Sequence, residues 1–287
     1  MSLAAPAFKN GMVLLLSLGA AIGYGLSDFI GGVVSRRTSM WAVAAVSQIT
    51  ATLLVAGFLA TNMGRPTAGD LMWGALAGLG SGAGNVLIFN GLARGRMAVV
   101  APLSAVVAAA LPALVGLATG ERPGLLAIVG VAAALPAIWL VSVSGEGSVR
   151  AERTTILNGL FAGVGFALQF SALGQVREEA GLAPLVVSQV FSVATIIVAA
   201  TAWSATWLPR DRPSRLGAVS GLFAGLATIS YQLAVQSGLL TIAAVVTSLY
   251  PAVTVVLATL VLKETILRAQ AVGLALAGGA IALIAAG

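Results

Sequence analysis

Apolar runs of about twenty residues follow one another along the chain, each closed by charged residues, turn residues or Pro and Gly. Since about 20 apolar residues in helical form cross a bilayer, the pattern predicts ten membrane spans. They run Met12–Val34, Met40–Ala60, Leu71–Leu92, Met97–Thr119, Gly124–Ser142, Ile156–Val176, Leu182–Thr206, Leu216–Ser237, Leu239–Val261 and Leu267–Ala286. Each must be a helix, because lipid offers no partner to an open backbone group. Spans eight and nine nearly meet at Ser237 and Gly238. The longest connector, Val143 to Thr155, carries Glu146, Arg150, Glu152 and Arg153 and leaves five spans on each side. The first apolar run is longer than the core of a cleavable signal peptide, so no such leader is expected.

Composition agrees with this pattern. Of 287 residues 59% are hydrophobic and 8% charged, with a mean hydropathy of +1.03. Soluble domains carry roughly 25% charged residues, so an ordinary globular enzyme and a disordered chain are both excluded. There is no Cys and no His. Thiolate chemistry, disulfides and imidazole bases or metal ligands are therefore absent, and neither a metal nor a cofactor is expected. The basic residues form no patch for nucleic acid and distribute by connector instead. Eleven of them (Arg36, Arg37, Arg94, Arg96, Arg150, Arg153, Arg210, Arg212, Arg215, Lys263 and Arg268) follow the odd-numbered spans, against four on the other side (Lys9, Arg65, Arg122 and Arg177). The positive-inside rule then places both termini outside the cytoplasm.

The halves repeat. An offset of 143 residues aligns Gly74, Gly78, Gly82 and Gly95 with Gly217, Gly221, Gly225 and Gly238, and Glu121 and Gly130 with Glu264 and Gly273. Near the start of each half the offset drifts to 141, where Ser47-Gln48 matches Ser188-Gln189 and Arg36 matches Arg177. Five spans separate the copies, so the second is expected upside down relative to the first. Inverted repeats are a transporter device, with a midplane site opened alternately to each side.

Five plus five spans, with an acid after the fourth and ninth (Glu121 in Thr119-Gly120-Glu121-Arg122, Glu264 in Leu262-Lys263-Glu264-Thr265) and a Gly nine residues later (Gly130, Gly273), resemble the EamA branch of the drug/metabolite transporter superfamily. Within that branch the chain looks closest to the YddG-type exporters of aromatic and other amino acids. Lys263 stands where the family has a Gly before the second acid. The resemblance implies ten helices around a central cavity and efflux from a bacterial cytoplasm.

Candidate site residues are polar or aromatic groups held inside spans. Asp28 is the one charged side chain of 24 well inside an apolar run. An intramembrane carboxyl faces a cavity or a partner: it is read as a substrate ammonium contact or a protonation site, or as a pair with Arg36 two turns on. Tyr24, one turn earlier, is placed to donate to it. Tyr231 and Tyr250 also sit mid-span, as do Asn85 with Ser81 one turn before, Asn90, Gln48, Gln169, Gln189 and Gln232. Phe89 occupies in span three the position that Gln232 has in span eight, so the halves offer different walls. Ser104 and Ser248 are hydroxyls able to meet a carboxylate. The five Trp lie near span ends, as interfacial residues do. The four-residue glycine rows read as packing seams. Pro102 and Pro112 in span four and Pro251 in span nine read as static kinks or gating hinges.

The sequence thus predicts an all-α integral membrane protein: ten transmembrane helices as two inverted five-helix repeats, 1–145 and 146–287, around a central cavity. The expected function is a multi-pass inner-membrane secondary transporter, not an enzyme, that exports amino acids by alternating access as a monomer or weak oligomer. Protons are a candidate coupling partner through Asp28. Export of organic cations, drugs or other metabolites through the same cavity is the alternative. No Lys or Arg lies inside a span to grip a phosphate ester.

Overall fold

The structure, a computed structural model, describes residues 4–60, 62–93, 97–141, 153–263 and 265–286. Among them the regular elements are all helices: α1 (Ala4–Ser35), α2 (Met40–Leu59), α3 (Ala68–Ala93), α4 (Met97–Ala118), α5 (Leu125–Val141), α6 (Arg153–Gly174), α7 (Ala183–Ala202), α8 (Arg212–Arg215), α9 (Gly217–Ser237), α10 (Leu240–Thr247), α11 (Tyr250–Leu262) and α12 (Arg268–Ala286), with a 3₁₀ turn at Glu178–Ala180. Among the described residues seven helical segments are long and apolar enough to cross a membrane. The shorter apolar helices Ser104–Ala118, Leu125–Val141 and Arg268–Ile284 fall at expected spans four, five and ten. Expected span nine is two helices, broken at Ser248 and Leu249 just before Pro251, which has no N–H to continue the ladder. Helix α4 runs through Pro102 and Pro112 without a break.

The bundle is apolar on its outside, where Leu15 (72%), Leu125 (77%) and Leu260 (72%) are exposed, while its interior is filled largely by Ala, Val, Ser and Gly. A soluble protein does not expose such a continuous apolar surface; it suits a lipid surround.

The packing has two-fold character. Helix α1 lies along α9 as α6 lies along α3; α2 packs on α9 as α7 packs on α3; α4 packs on α6 as α10 and α11 pack on α1. Exchanging the halves carries each contact onto its mate, and α5–α12, α2–α7 and α4–α10 map onto themselves. The glycine rows make the closest approaches. Gly74 and Gly78 face the carbonyls of Pro184 and Ser188 on α7, and Gly82 faces Thr195. Gly217 and Gly221 face the carbonyls of Val43 and Ser47 on α2, and Gly225 faces Ala51 and Leu54. Gly130 and Gly273 similarly line the α5–α12 contact, against Ala280 and Val141.

Glu121 joins the halves. Its carboxylate accepts hydrogen bonds from the backbone N–H of Leu240 and of Thr241 (2.9 Å), the open donors at the start of α10. A carboxylate there meets both the unpaired N–H groups and the positive end of the helix. Gly116 leaves the space: a methyl group on it would collide with the Glu121 carboxylate and the Thr241 hydroxyl. Replacing Glu121 by Ala strands two donors and is expected to cost on the order of 3 kcal/mol, read as a lowered unfolding midpoint in detergent; Glu121→Gln, which keeps an acceptor, should lose much less. Its repeat counterpart, Glu264, lies outside the described residues.

Each end of the bundle carries a tie between halves. At one end Arg177 pairs with Asp70 (2.7 Å), whose carboxylate also accepts from the Thr67 N–H and hydroxyl (2.8 and 2.6 Å). Beside it the Leu182 N–H donates to the Asn62 carbonyl (3.0 Å). At the other end the Thr38 hydroxyl donates to Asp211 (2.5 Å), the Ser39 hydroxyl donates to the Thr206 carbonyl (2.8 Å), and Trp41 meets Trp203 at 5.7 Å. Asp211 caps the N-terminus of α8 through the Ser214 N–H (2.8 Å). The Thr38 hydrogen bond, with those from Ser214, holds the Asp211 carboxyl below the usual carboxylate range. That stabilisation is present above the ordinary carboxylate pKa and is lost as pH falls through the lowered one.

Candidate functional site

Seven helices converge on one central cavity. Helix α1 supplies Tyr24, Ser27 and Asp28, which share a face by their three- and four-residue spacing. The same spacing brings Phe166, Gln169 and Phe170 of α6 together, Ser81 and Asn85 of α3, and Ala224 and Thr228 of α9. Ser47 and Gln48 of α2, Gln189 of α7 and Tyr250, the first residue of α11, complete the wall. About 50 Å³ is open to the centre of a water molecule.

The chemistry of the wall is mixed. Among the described residues it carries one carboxyl group, four amides, several hydroxyls and four aromatic rings, and neither Lys nor Arg. Most of the polar groups are engaged with one another. The Tyr24 and Thr228 hydroxyls are 3.0 Å apart, the Ser27 and Ser220 hydroxyls 2.9 Å, and the Asn85 amide donates to Ser81 (3.4 Å). The Gln48 amide N–H donates to the Gln189 amide oxygen (2.7 Å). These two are repeat counterparts, 141 residues apart, and they meet across the two-fold relation of the halves.

Asp28 is the exception. Its carboxyl group has neither a hydrogen bond nor an ion pair within the protein among the described residues. The expected bond from Tyr24 is not formed because that hydroxyl is directed to Thr228, and the alternative pairing with Arg36 is not formed either. A carboxyl group in a membrane interior without a partner is costly. The aromatic side of the cavity is ordered: Phe170 lies 4.5 Å from Tyr231 and 6.2 Å from Tyr24 by ring centroids.

Of the sequence candidates, Tyr24, Asp28, Ser81, Asn85, Gln169 and Tyr250 line the cavity. Tyr231, Gln232 and Ser248 do not. Tyr231 is fully buried behind Phe170 and donates its hydroxyl to the Phe170 carbonyl (3.0 Å). Gln232 donates to the Leu173 carbonyl (3.5 Å), and Ser248 is buried at the α10–α11 break. The side chains of Phe89 and Pro102 lie outside the described ones. Pro112 and Pro251 lie away from the wall. The candidate set missed Ser27, Phe166, Phe170 and Thr228, whereas the mid-span amides Gln48 and Gln189 do line the cavity, from α2 and α7 and together with Ser47. The repeated Ser-Gln dipeptide, mid-span in both halves, was the signal for the last group.

Comparison with known proteins fits this architecture. No curated protein matches the chain. One solved crystal structure, described only as that of a protein, shares the fold with a TM-score of 0.71 at 17% identity, over 94% of this chain and 95% of its own. The pattern of the EamA-like transporter family matches twice, over residues 11–143 and 153–286, so that nearly the whole chain is two copies of one unit. The chain belongs to the EamA-like transporter family and is a membrane transporter of small molecules.

Proposed function

We propose that the protein exports amino acids, aromatic ones included, across a bacterial inner membrane by alternating access. In this reading ten spans form two inverted halves, 1–145 and 146–287, with both termini outside the cytoplasm. The observation that carries it is Asp28: a carboxyl group without a partner among the described residues, facing a cavity walled by Tyr24, Phe166, Phe170 and Tyr250. The carboxyl group takes the substrate ammonium and the rings take its side chain, through apolar contact and, for an aromatic side chain, ring–ring packing. The two-fold packing supports the mechanism, because a site between repeats is opened to either side by rocking one against the other. The glycine seams and the ties at the two ends mark the surfaces along which such motion proceeds. Asp28 is also the group on which a proton would ride.

That no Lys or Arg stands among the described residues of the wall favours one second reading, transport of organic cations that carry no carboxylate. Counterflow in proteoliposomes separates the two. With unlabelled phenylalanine inside, labelled phenylalanine outside and no gradient of pH or voltage, saturable accumulation is expected. Absence of phenylalanine accumulation together with uptake of a divalent organic dye overturns the amino acid reading in favour of the cation reading.

A further inference from the structure

Asp28 accounts for one end of an amino acid; the other end needs hydrogen-bond donors. Among the described residues the wall offers no cation, and most of its hydroxyls are spent on protein partners. Gln189 is different. Its amide oxygen accepts from the Gln48 N–H at 2.7 Å, which fixes the orientation of the amide. The two N–H donors of Gln189 are then the free end. They have no partner within the protein among the described residues, yet Gln189 lines the cavity and is only 1% exposed. The amide oxygen of Gln48 is likewise open. The repeat offers a second clue: at the same 141-residue spacing that aligns Gln48 with Gln189, Asp28 aligns with Gln169. The first half therefore presents an acid to the cavity where the second presents an amide, and the site is electrically one-sided although its scaffold is two-fold.

We infer that Gln189, held in place by Gln48, is the carboxylate-recognising residue of this site, opposite the ammonium-recognising Asp28. The assignment rests on the amino acid reading above. An amide N–H donating to a carboxylate is a charge-assisted bond, worth a discrimination of about 10- to 100-fold. Gln48 acts through Gln189 as a positioning residue: without it the Gln189 amide is free to turn its oxygen toward the substrate.

The test compares phenylalanine with phenethylamine, which has the same ring and ammonium group but no carboxylate. In proteoliposomes, Gln189→Leu is expected to raise the half-saturation concentration for phenylalanine by about 10- to 100-fold and to leave phenethylamine within about two-fold of its starting value. Gln48→Leu should move phenylalanine in the same direction by a smaller factor, with phenethylamine again unmoved. If Gln189→Leu does not fold, Gln189→Glu, equal in size and polar, carries the test: repulsion between carboxylates removes phenylalanine exchange and spares phenethylamine. Equal losses for both probes, or no change for either, overturn the assignment while the wild-type protein still exchanges phenylalanine. A wild-type protein that carries phenethylamine but not phenylalanine overturns the amino acid reading, and this assignment with it.

Discussion

Replacing Asp28 by Asn is expected to lower phenylalanine exchange in proteoliposomes by about 100-fold while leaving the protein folded. The size follows from removing one member of a desolvated charge pair with the substrate, which costs about 2–5 kcal/mol. The second half of the expectation follows from the structure. Asp28 has no hydrogen bond or ion pair among the described residues, so its removal strands no donor and breaks no ion pair there. Burying an ionisable group without a partner opposes folding, so the unfolding midpoint of Asp28→Asn should hold or rise. A residue kept for structure behaves the other way, with stability and exchange falling together. Undiminished exchange in the Asn variant contradicts the role assigned to Asp28.

A large effect on stability is expected at the glycine seams. A methyl group added at Gly78 would run into the Ser188 carbonyl and the Phe191 Cβ at 2.7 Å; one added at Gly221 would meet the Ser47 carbonyl and the Thr50 Cβ at 2.8 Å. The obstacles are backbone on rigid helices, so neither can swing aside as a flexible side chain does. Overpacking of this kind costs about 1–3 kcal/mol per site for a well-packed core, and Gly78→Ala and Gly221→Ala should each reach the upper part of that range. Valine at either position is expected to prevent stable insertion of the folded protein. Gly278 is the control: open space surrounds it, so Gly278→Ala should unfold at the wild-type temperature or above. Thermal unfolding followed by fluorescence-detected size exclusion ranks the variants. Equal tolerance at Gly78 and Gly278 contradicts the seam.

Most of the architecture was legible in the chain because it is written in features that are local or periodic. Apolar length places the helices, and the four-residue glycine rows at one offset name both the repeat and its contact surfaces, which the packing of Gly74 to Gly82 on α7 and of Gly217 to Gly225 on α2 makes concrete. Intramembrane polarity likewise singles out Asp28, Tyr24 and Gln169. What the sequence withholds is direction. Tyr231 and Gln232 are as polar and as central as Tyr24, but their side chains turn to the carbonyls of α6 rather than to the cavity. Hydropathy does not separate those fates, since hydroxyls and amides satisfied by a neighbouring backbone read the same as those facing water. Span nine shows a second limit: Pro251 signals a break, but equal signals at Pro102 and Pro112 leave α4 unbroken, because neighbouring helices hold a proline-bearing helix in line. The placement of α2 and α7 at the two-fold relation was hidden for the same reason. Only the meeting of Gln48 with Gln189 shows that the repeated Ser-Gln pair faces its own copy.

The central claim is that one cavity between the two halves is the transport site and opens to each side in turn. The chain has no cysteine, so a single one can be placed on the cavity wall without a background signal. Ala224→Cys adds only one sulfur atom, on the helix face that also carries Thr228. In right-side-out and inside-out vesicles, a membrane-impermeant thiol reagent is expected to modify it from both sides, and phenylalanine should protect it in both orientations. Modification from one side only, with no protection by any transported substrate, would contradict alternating access through this cavity.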